Sequence, residues 1–179
     1  MPYLSVIEFW FEEITPAQWW QKSDEFDALI RGRFSALHQS AIRCELFAWR
    51  RSPLGRLAEI IVLDQFSRNL FRDQAGAFAH DSLALALAQQ TIAAGIDQRL
   101  HVKQRGFLYM PFMHSESREM QKQSVQLFSQ PGLESHLSSV QRHHAIIERF
   151  GRYPHRNKIL GRTSTAEERP FLQQPGSSF

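Results

Sequence analysis

SPLGRLAEIIVLDQFSRNLFRD, residues 52–73, reads as helix from its first pair onward. Ser52 suits an N-cap. Pro53 suits the first helical position, where its fixed φ is already helical and its missing N–H is not needed. Leu54, Leu57, Ala58 and Ile61 then recur at the spacing of one helix face. Beyond them Leu63, Phe66, Leu70 and Phe71 are threaded between Asp64, Gln65, Arg68, Asn69 and Arg72. Asp64, Arg68 and Arg72 stand at i, i+4 and i+8, one line of the face for as long as the helix lasts. As an exposed ladder these charges would stabilise by only about 0.2–0.5 kcal/mol per pair. The interleaved aromatics instead shield part of this face from water, where an arginine needs a partner.

The same period runs through most of the chain. Ile7, Trp10, Phe11 and Ile14 share a face, and Thr15-Pro16 repeats the cap-plus-proline device ahead of Trp19 and Trp20. Ser23, with Asp24 and Glu25 behind it, caps a helix striped by Phe26, Leu29, Ile30, Phe34 and Leu37. DSLALALAQQTIAAG, residues 81–95, is rich in strong helix formers and stops at Gly95. VKQRGFLYM is expected to close at Pro111, and Ser115 to cap SREMQKQSVQLF. Leu133, Leu137, Val140, His144 and Ile147 stripe the last long helix, ended by Gly151. No stretch alternates long enough for a strand. The expectation is an all-α protein, one domain over residues 1–179, built of antiparallel helix pairs of the length found in a TPR-like stack. The tail from about residue 165, rich in Gly, Ser and Pro, is expected to be irregular. Phe66, Phe107, Phe112, Ile147 and Phe150 are the expected core that gathers the polar segments.

Composition narrows the classes. Hydrophobic residues make up 42% of the 179, too many for a disordered chain. The single cysteine, Cys44, excludes an internal disulfide and fits a reducing cytoplasm. The opening MPYLSVIEFWF has no basic leader, and no apolar run reaches spanning length, so neither a secretory signal nor a membrane span is expected. The net charge of +3 is unevenly spread: residues 1–30 hold six acids against Lys22. Nothing among the motifs reads nucleic-acid bases, and there is no HExxH or CxxC, so neither nucleic acid nor a metal or other cofactor is expected.

Two more segments carry polar chemistry beyond what packing needs. In FLYMPFMHSESRE, residues 107–119, His114 falls at a helix–loop junction where no propensity argument places a histidine, and Glu116 is either a site residue or an ordinary first-turn acid. In QRHHAIIERFGRYPHRNKILGR, His143 and His144 stand about 100° apart on the helix. His144 falls on the apolar stripe, and His143 looks toward the loop that follows. That loop carries Arg152, His155, Arg156 and Asn157. Arginine suits planar, bidentate recognition of carboxylate or phosphate, so an anion site is expected. The bland alternative is a solvated basic loop, or one paired with the acidic N-terminal helix.

Taken together, LDQFSRNLFRD, FLYMPFMHSE, HHAIIERFGRYPHRNKILGRTST and the terminal PGSSF, with VIEFWF and the tryptophan pair, resemble the bacterial domain-of-unknown-function family nine-two-four over nearly the whole chain. The resemblance implies an all-α TPR-like fold and supplies no activity. The family-typical polar positions fall on Asp64, Gln65, Arg68, Asn69, Arg72, His114, Glu116, His143, Arg149, Arg152, His155, Arg156 and Asn157. The chain departs from the family pattern at Ser67, Cys44, His144 and Pro170, and Pro170 falls inside the family's short terminal helix.

The leading functional expectation is a binding protein whose concave helical face holds a small anionic ligand, or an acidic or carboxylate-bearing peptide. Its lining would be Asp64, Gln65, Arg68, Asn69, Arg72, His114, His143, Arg152, His155, Arg156 and Asn157. The alternative is a hydrolase or transferase acting on a phosphate- or carboxylate-bearing substrate. There His114 or His143 would be the acid/base and Asp64 or Glu116 the orienting carboxylate.

Overall fold

The computed structural model describes residues 2–179. The chain is helical, with no strand among the described residues. Helix α1 spans Pro2–Glu8 and runs into a π-helical turn at Phe9–Glu13. Thr15 then opens a 3-10 turn, Pro16–Trp19, its N–H donating to the Gln18 side chain. Ser23 caps α2, Asp24–Ile42, by accepting the Phe26 N–H at 3.2 Å. The opening stretch forms α3, Pro53–Ile61, a second π-helical turn, Val62–Phe66, and the short α4, Ser67–Leu70. Then follow α5, Asp81–Ala93, α6, Val102–His114, α7, Arg118–Phe128, α8, Leu137–Phe150, and α9, Glu168–Phe171. Helix α3 packs on α1, α5 and α6, and α2 packs on α4. Helices α6, α7 and α8 pack in succession.

The π-helical turn at Val62–Phe66 is central to this arrangement. Five successive helical residues sweep more than a full turn, yet all five here are buried, so the turn is enclosed on every side. Phe66 meets Phe34 at 4.8 Å and Trp10 at 5.6 Å, and Trp10 in turn meets Phe107 at 5.6 Å. These rings tie the N-terminal segment, α2, the π-helical turn and α6 into one core. A smaller cluster of Ile146, Ile147 and Tyr153, backed by Phe150 and Phe171, joins α8 to α9.

Local expectations are corrected at five places. Helix α6 does not close at Pro111 but runs on to His114. Its last turn is held from outside: Gln121 Nε2 donates to the Met113 and Ser115 carbonyls at 2.7 Å each, and the Tyr153 hydroxyl donates to Met113 O. Ser117, not Ser115, caps α7. His143 is buried and His144 is only half-buried, the reverse of the stripe reading. Phe66, Phe107, Phe112 and Ile147 are core, but Phe150 is half-buried, with the Arg149 guanidinium lying over its ring. The tail is regular at α9, despite Pro170. Thr165 Oγ1 accepts the Glu168 N–H and the Glu168 carboxylate accepts the Thr165 N–H, a reciprocal cap, and Pro170 falls in the first turn, where no N–H is needed.

Gly55 shows why SPLG opens this helix. A Cβ there would stand 2.1 Å from the Trp49 carbonyl oxygen, so only glycine lets α3 approach the preceding 3-10 turn, Phe47–Arg51. Inside a helix, Gly to Ala ordinarily stabilises by about 0.5–1 kcal/mol. Gly55→Ala is expected to do the opposite, costing about 1–3 kcal/mol in denaturant unfolding, as overpacking does. A midpoint at or above that of the wild type would contradict this packing.

Candidate functional site

A cavity of about 440 Å³ opens where the π-helical turn, the end of α6, α8 and the loop after α8 converge. Gln65, Arg68, Asn69 and Arg72 reach it from one side, His114 from the end of α6, His143 from α8, and His155 and Arg156 from the 3-10 turn Pro154–Arg156. Trp19, Trp20, Phe78, Met110, Met113 and Phe179 supply apolar wall. Eight residues expected in the site from sequence therefore meet in one place.

Asp64 stands behind this wall with no exposed surface. Its Oδ1 lies 2.7 Å from His114 Nδ1 and 3.2 Å from Arg68, and its Oδ2 accepts from Gln65 at 2.6 Å. Burial disfavours its charge. Arg68 and His114, with the His114 and Gln65 hydrogen bonds, outweigh that and hold the carboxyl well below its ordinary range. An ionised carboxylate only accepts, so His114 carries its proton on Nδ1 and presents Nε2 as a lone pair. Burial and the nearby Arg68 push the His114 pKa down, against the pull of Asp64, so the ring is neutral at neutral pH. His143 follows the same logic. Its Nδ1 lies 2.7 Å from the Ser139 carbonyl, so Nε2 is the acceptor, and burial, with His114 alongside, lowers its pKa to about 3. Burial and Arg156 lower His155 to about 4.

The arginines differ in how well they are matched. Arg68 donates to both oxygens of Asp81, at 2.9 and 3.1 Å, and to the Asp64 carbonyl at 2.7 Å. Arg72, just beyond the end of α4, is taken by Asp27, which also accepts from Asn69 at 2.8 Å. Arg156 is the exception. It is 5% exposed, reaches Asp81 only at 3.4 Å, donates to the His114 carbonyl at 3.0 Å, and its Nε has no partner among the described residues. It lies between the rings of Phe78 and Tyr153, at 4.4 and 4.6 Å. Burial and the neighbouring Arg68 lower its pKa, so its charge is the least compensated of the cavity's three arginines.

The other expected residues lie outside the cavity, and most of the basic loop is internally paired. Arg152 donates to Glu168 at 2.6 and 2.8 Å, and Asn157 donates to the same carboxylate at 3.1 Å. Glu116 accepts from Arg162 at 2.7 and 2.9 Å and from the Tyr153 N–H at 2.8 Å, which makes it the loop's anchor rather than an orienting acid for a histidine. Arg149 pairs with Glu167 at 3.0 Å. The loop's acids therefore come from α9, the residue before it, and the turn after α6. The acidic N-terminal region is matched elsewhere, with Glu13 on Arg33 and Asp27 on Arg72. Among the described residues no three His, Cys, Asp or Glu side chains gather as metal ligands would, and no helix is long and apolar enough to cross a membrane.

A family model described as a bacterial protein of unknown function (DUF924) matches residues 6–176. The chain belongs to this family. A solved structure of a protein of unknown function from Agrobacterium tumefaciens is 38% identical to it, covers 96% of this chain and 97% of its own, and superposes with a TM-score of 0.91. No curated protein matches. Of the DUF924 motifs quoted from the sequence, LDQFSRNLFRD, FLYMPFMHSE and PGSSF supply residues of the cavity wall, the stretch after α8 braces the loop bearing Arg156, and VIEFWF packs in the core.

Sequence reasoning missed Asp81, Phe78, Trp20, Lys22 and Phe179 as cavity neighbours. Asp81 opens DSLALALAQQTIAAG, a stretch read only as helix. The terminal PGSSF was the only signal for Phe179, whose ring lies 3.7 Å from that of His143.

Glu168 joins Arg152, Asn157 and the α9 cap, so Glu168→Ala is expected to cost about 3 kcal/mol. Hydrogen bonds from Arg152 above all, against burial, hold its pKa at about 2, below the unfolded value. The stabilisation is therefore complete above the unfolded pKa and fades as pH falls through about 2. Acid titration of unfolding should show wild type and variant converging there. A constant gap down to pH 2 would remove Glu168 from this role.

Proposed function

We propose that the cavity binds a small ligand with an anionic head and an apolar body, either a carboxylate- or phosphate-bearing small molecule or the carboxylate of an acidic peptide. The observation that carries this reading is Arg156: a 5% exposed guanidinium with a weak carboxylate contact and an unpartnered Nε, at the wall of a cavity. A buried cation without full compensation is costly, and an anion placed on it recovers that cost. Arg68 and Arg72 are already matched by acids of the chain and serve as walls. The apolar body would lie against Trp20, Phe78, Met110, Met113 and Phe179. A TPR-like arrangement of the helix pairs is compatible with this use of an inner face, by analogy of fold alone.

The test is thermal unfolding at constant ionic strength with phenylacetate, phenyl phosphate and inorganic phosphate, each compared with neutral phenylacetamide. An anion that binds the folded state should stabilise the wild type by about 2.7 kcal/mol at one hundred times its dissociation constant, and Arg156→Gln should lose that shift. Equal shifts in both proteins, or shifts with phenylacetamide alone, would refute the anion reading.

A further inference from the structure

The cavity holds more than a binding site for an anion needs. An anion is served by donors and positive charge, yet two of the side chains at this wall are imidazoles locked as acceptors. Asp64 fixes the His114 proton on Nδ1 at 2.7 Å, and the Ser139 carbonyl fixes the His143 proton on Nδ1 at 2.7 Å. Both Nε2 lone pairs are thereby left for whatever occupies the cavity. The two ring centroids stand 6.4 Å apart, and both rings line the cavity. Arg156 donates to the backbone carbonyl of His114 itself, which places the undercompensated guanidinium beside the residue that bears one of these lone pairs.

From this juxtaposition we infer that the protein is a hydrolase of carboxylic esters or amides with an apolar acyl group: His114 activates water, and Arg156 receives the negative charge that develops on the carbonyl oxygen. The inference rests on the anion reading of Arg156. His114 Nε2 takes a proton from water as the water oxygen bonds to the carbonyl carbon, and the C=O electrons move onto oxygen beside Arg156. The tetrahedral intermediate then collapses. The C–O or C–N bond breaks, the leaving alcohol or amine takes the proton from His114 Nε2, and the acyl product departs as a carboxylic acid that ionises. Water is the only co-reactant. The role of Asp64 is to position His114: it sets the tautomer and stabilises the imidazolium formed midway. His143 helps to hold the water. The acyl chain lies along Phe78, Met110 and Met113, and the carboxylate product is the anion that Arg156 would retain.

The groups facing His114 are Asp64 and Arg68 from the opening stretch, Asp81 from the start of α5, His143 from α8, and Arg156 from the loop after α8. Their balance leaves the ring neutral at neutral pH, so hydrolysis should be level there and fall on acidification below the ordinary histidine range.

The experiment measures acid release from methyl esters and anilides of phenylacetate, benzoate and hexanoate, by wild type, His114→Gln, Asp64→Asn and a heat-denatured control. The expected result is saturable release by the wild type, a loss of about 100-fold or more in His114→Gln, and a loss with an altered acid limb in Asp64→Asn. Phenylacetate should still raise the melting temperature of His114→Gln, which shows that the variant is folded and its cavity intact. No release above the denatured control from any ester or anilide, or undiminished release by a folded His114→Gln, overturns the hydrolase. An Arg156-dependent phenylacetate shift in those cases leaves the binding reading standing. Loss of that shift in the wild type removes both.

Discussion

A carboxylate with no exposed surface, Asp64, holds the cavity together. Burying it is tolerable only because its oxygens are occupied from three directions, by His114, Arg68 and Gln65. Each of those partners then has its own position set. Gln65 and Arg68 follow Asp64 along the π-helical turn and α4, while His114 arrives from the far end of α6. The Asp64–His114 pair therefore fixes the end of one helix against the middle of another. It also decides which nitrogen of the imidazole faces the cavity. A neutral residue at 64 would leave the helices packed by Phe66 and its neighbours but would free the ring to turn.

The basic loop shows how one composition serves two purposes. Arg152 and Arg162 are bound by carboxylates of the chain, Glu168 and Glu116, and these pairs shape the backbone around Tyr153 and Pro154. That shape delivers Arg156 to the cavity wall between two aromatic rings, short of a full partner. Paired arginines build the support, and the underpaired one is presented by it. The π-helical turn plays a comparable part. Turns of this kind concentrate at functional sites because the extra residue re-aims side chains that a regular helix would spread around its axis.

Much of this was legible in the residues, and the remainder has physical reasons. Cap-plus-proline pairs and apolar periodicity were enough for the helical class, because those signals are local. The i, i+4 relation of Asp64 and Arg68 survived the π-helical turn. Arg72 left the line because α4 ends at Leu70. Pro111 misled because a proline removes only its own N–H bond, the one to the Phe107 carbonyl, and need not end a helix whose last-turn carbonyls are held from outside, here by Gln121 from α7 and Tyr153 from the loop. Arg152 and Arg156 have the same type and neighbourhood in sequence. Only the position of Glu168 and Asp81 separates the braces from the cavity residue, and that depends on contacts across 11 to 75 residues of chain. His143 and His144 were exchanged between core and boundary for a similar reason: a helical wheel shows which residues share a face but not which face the tertiary structure covers.

The most direct test is the protonation of His114 itself. Long-range proton–nitrogen NMR of the imidazole rings, assigned with His114→Gln, reports which nitrogen carries hydrogen. With Asp64 ionised against Nδ1, the His114 spectrum at pH 7 should show a protonated Nδ1 and a bare Nε2, and should convert to imidazolium only on acidification below the ordinary histidine range. A proton on Nε2 at pH 7, or an imidazolium already formed there, would contradict the account.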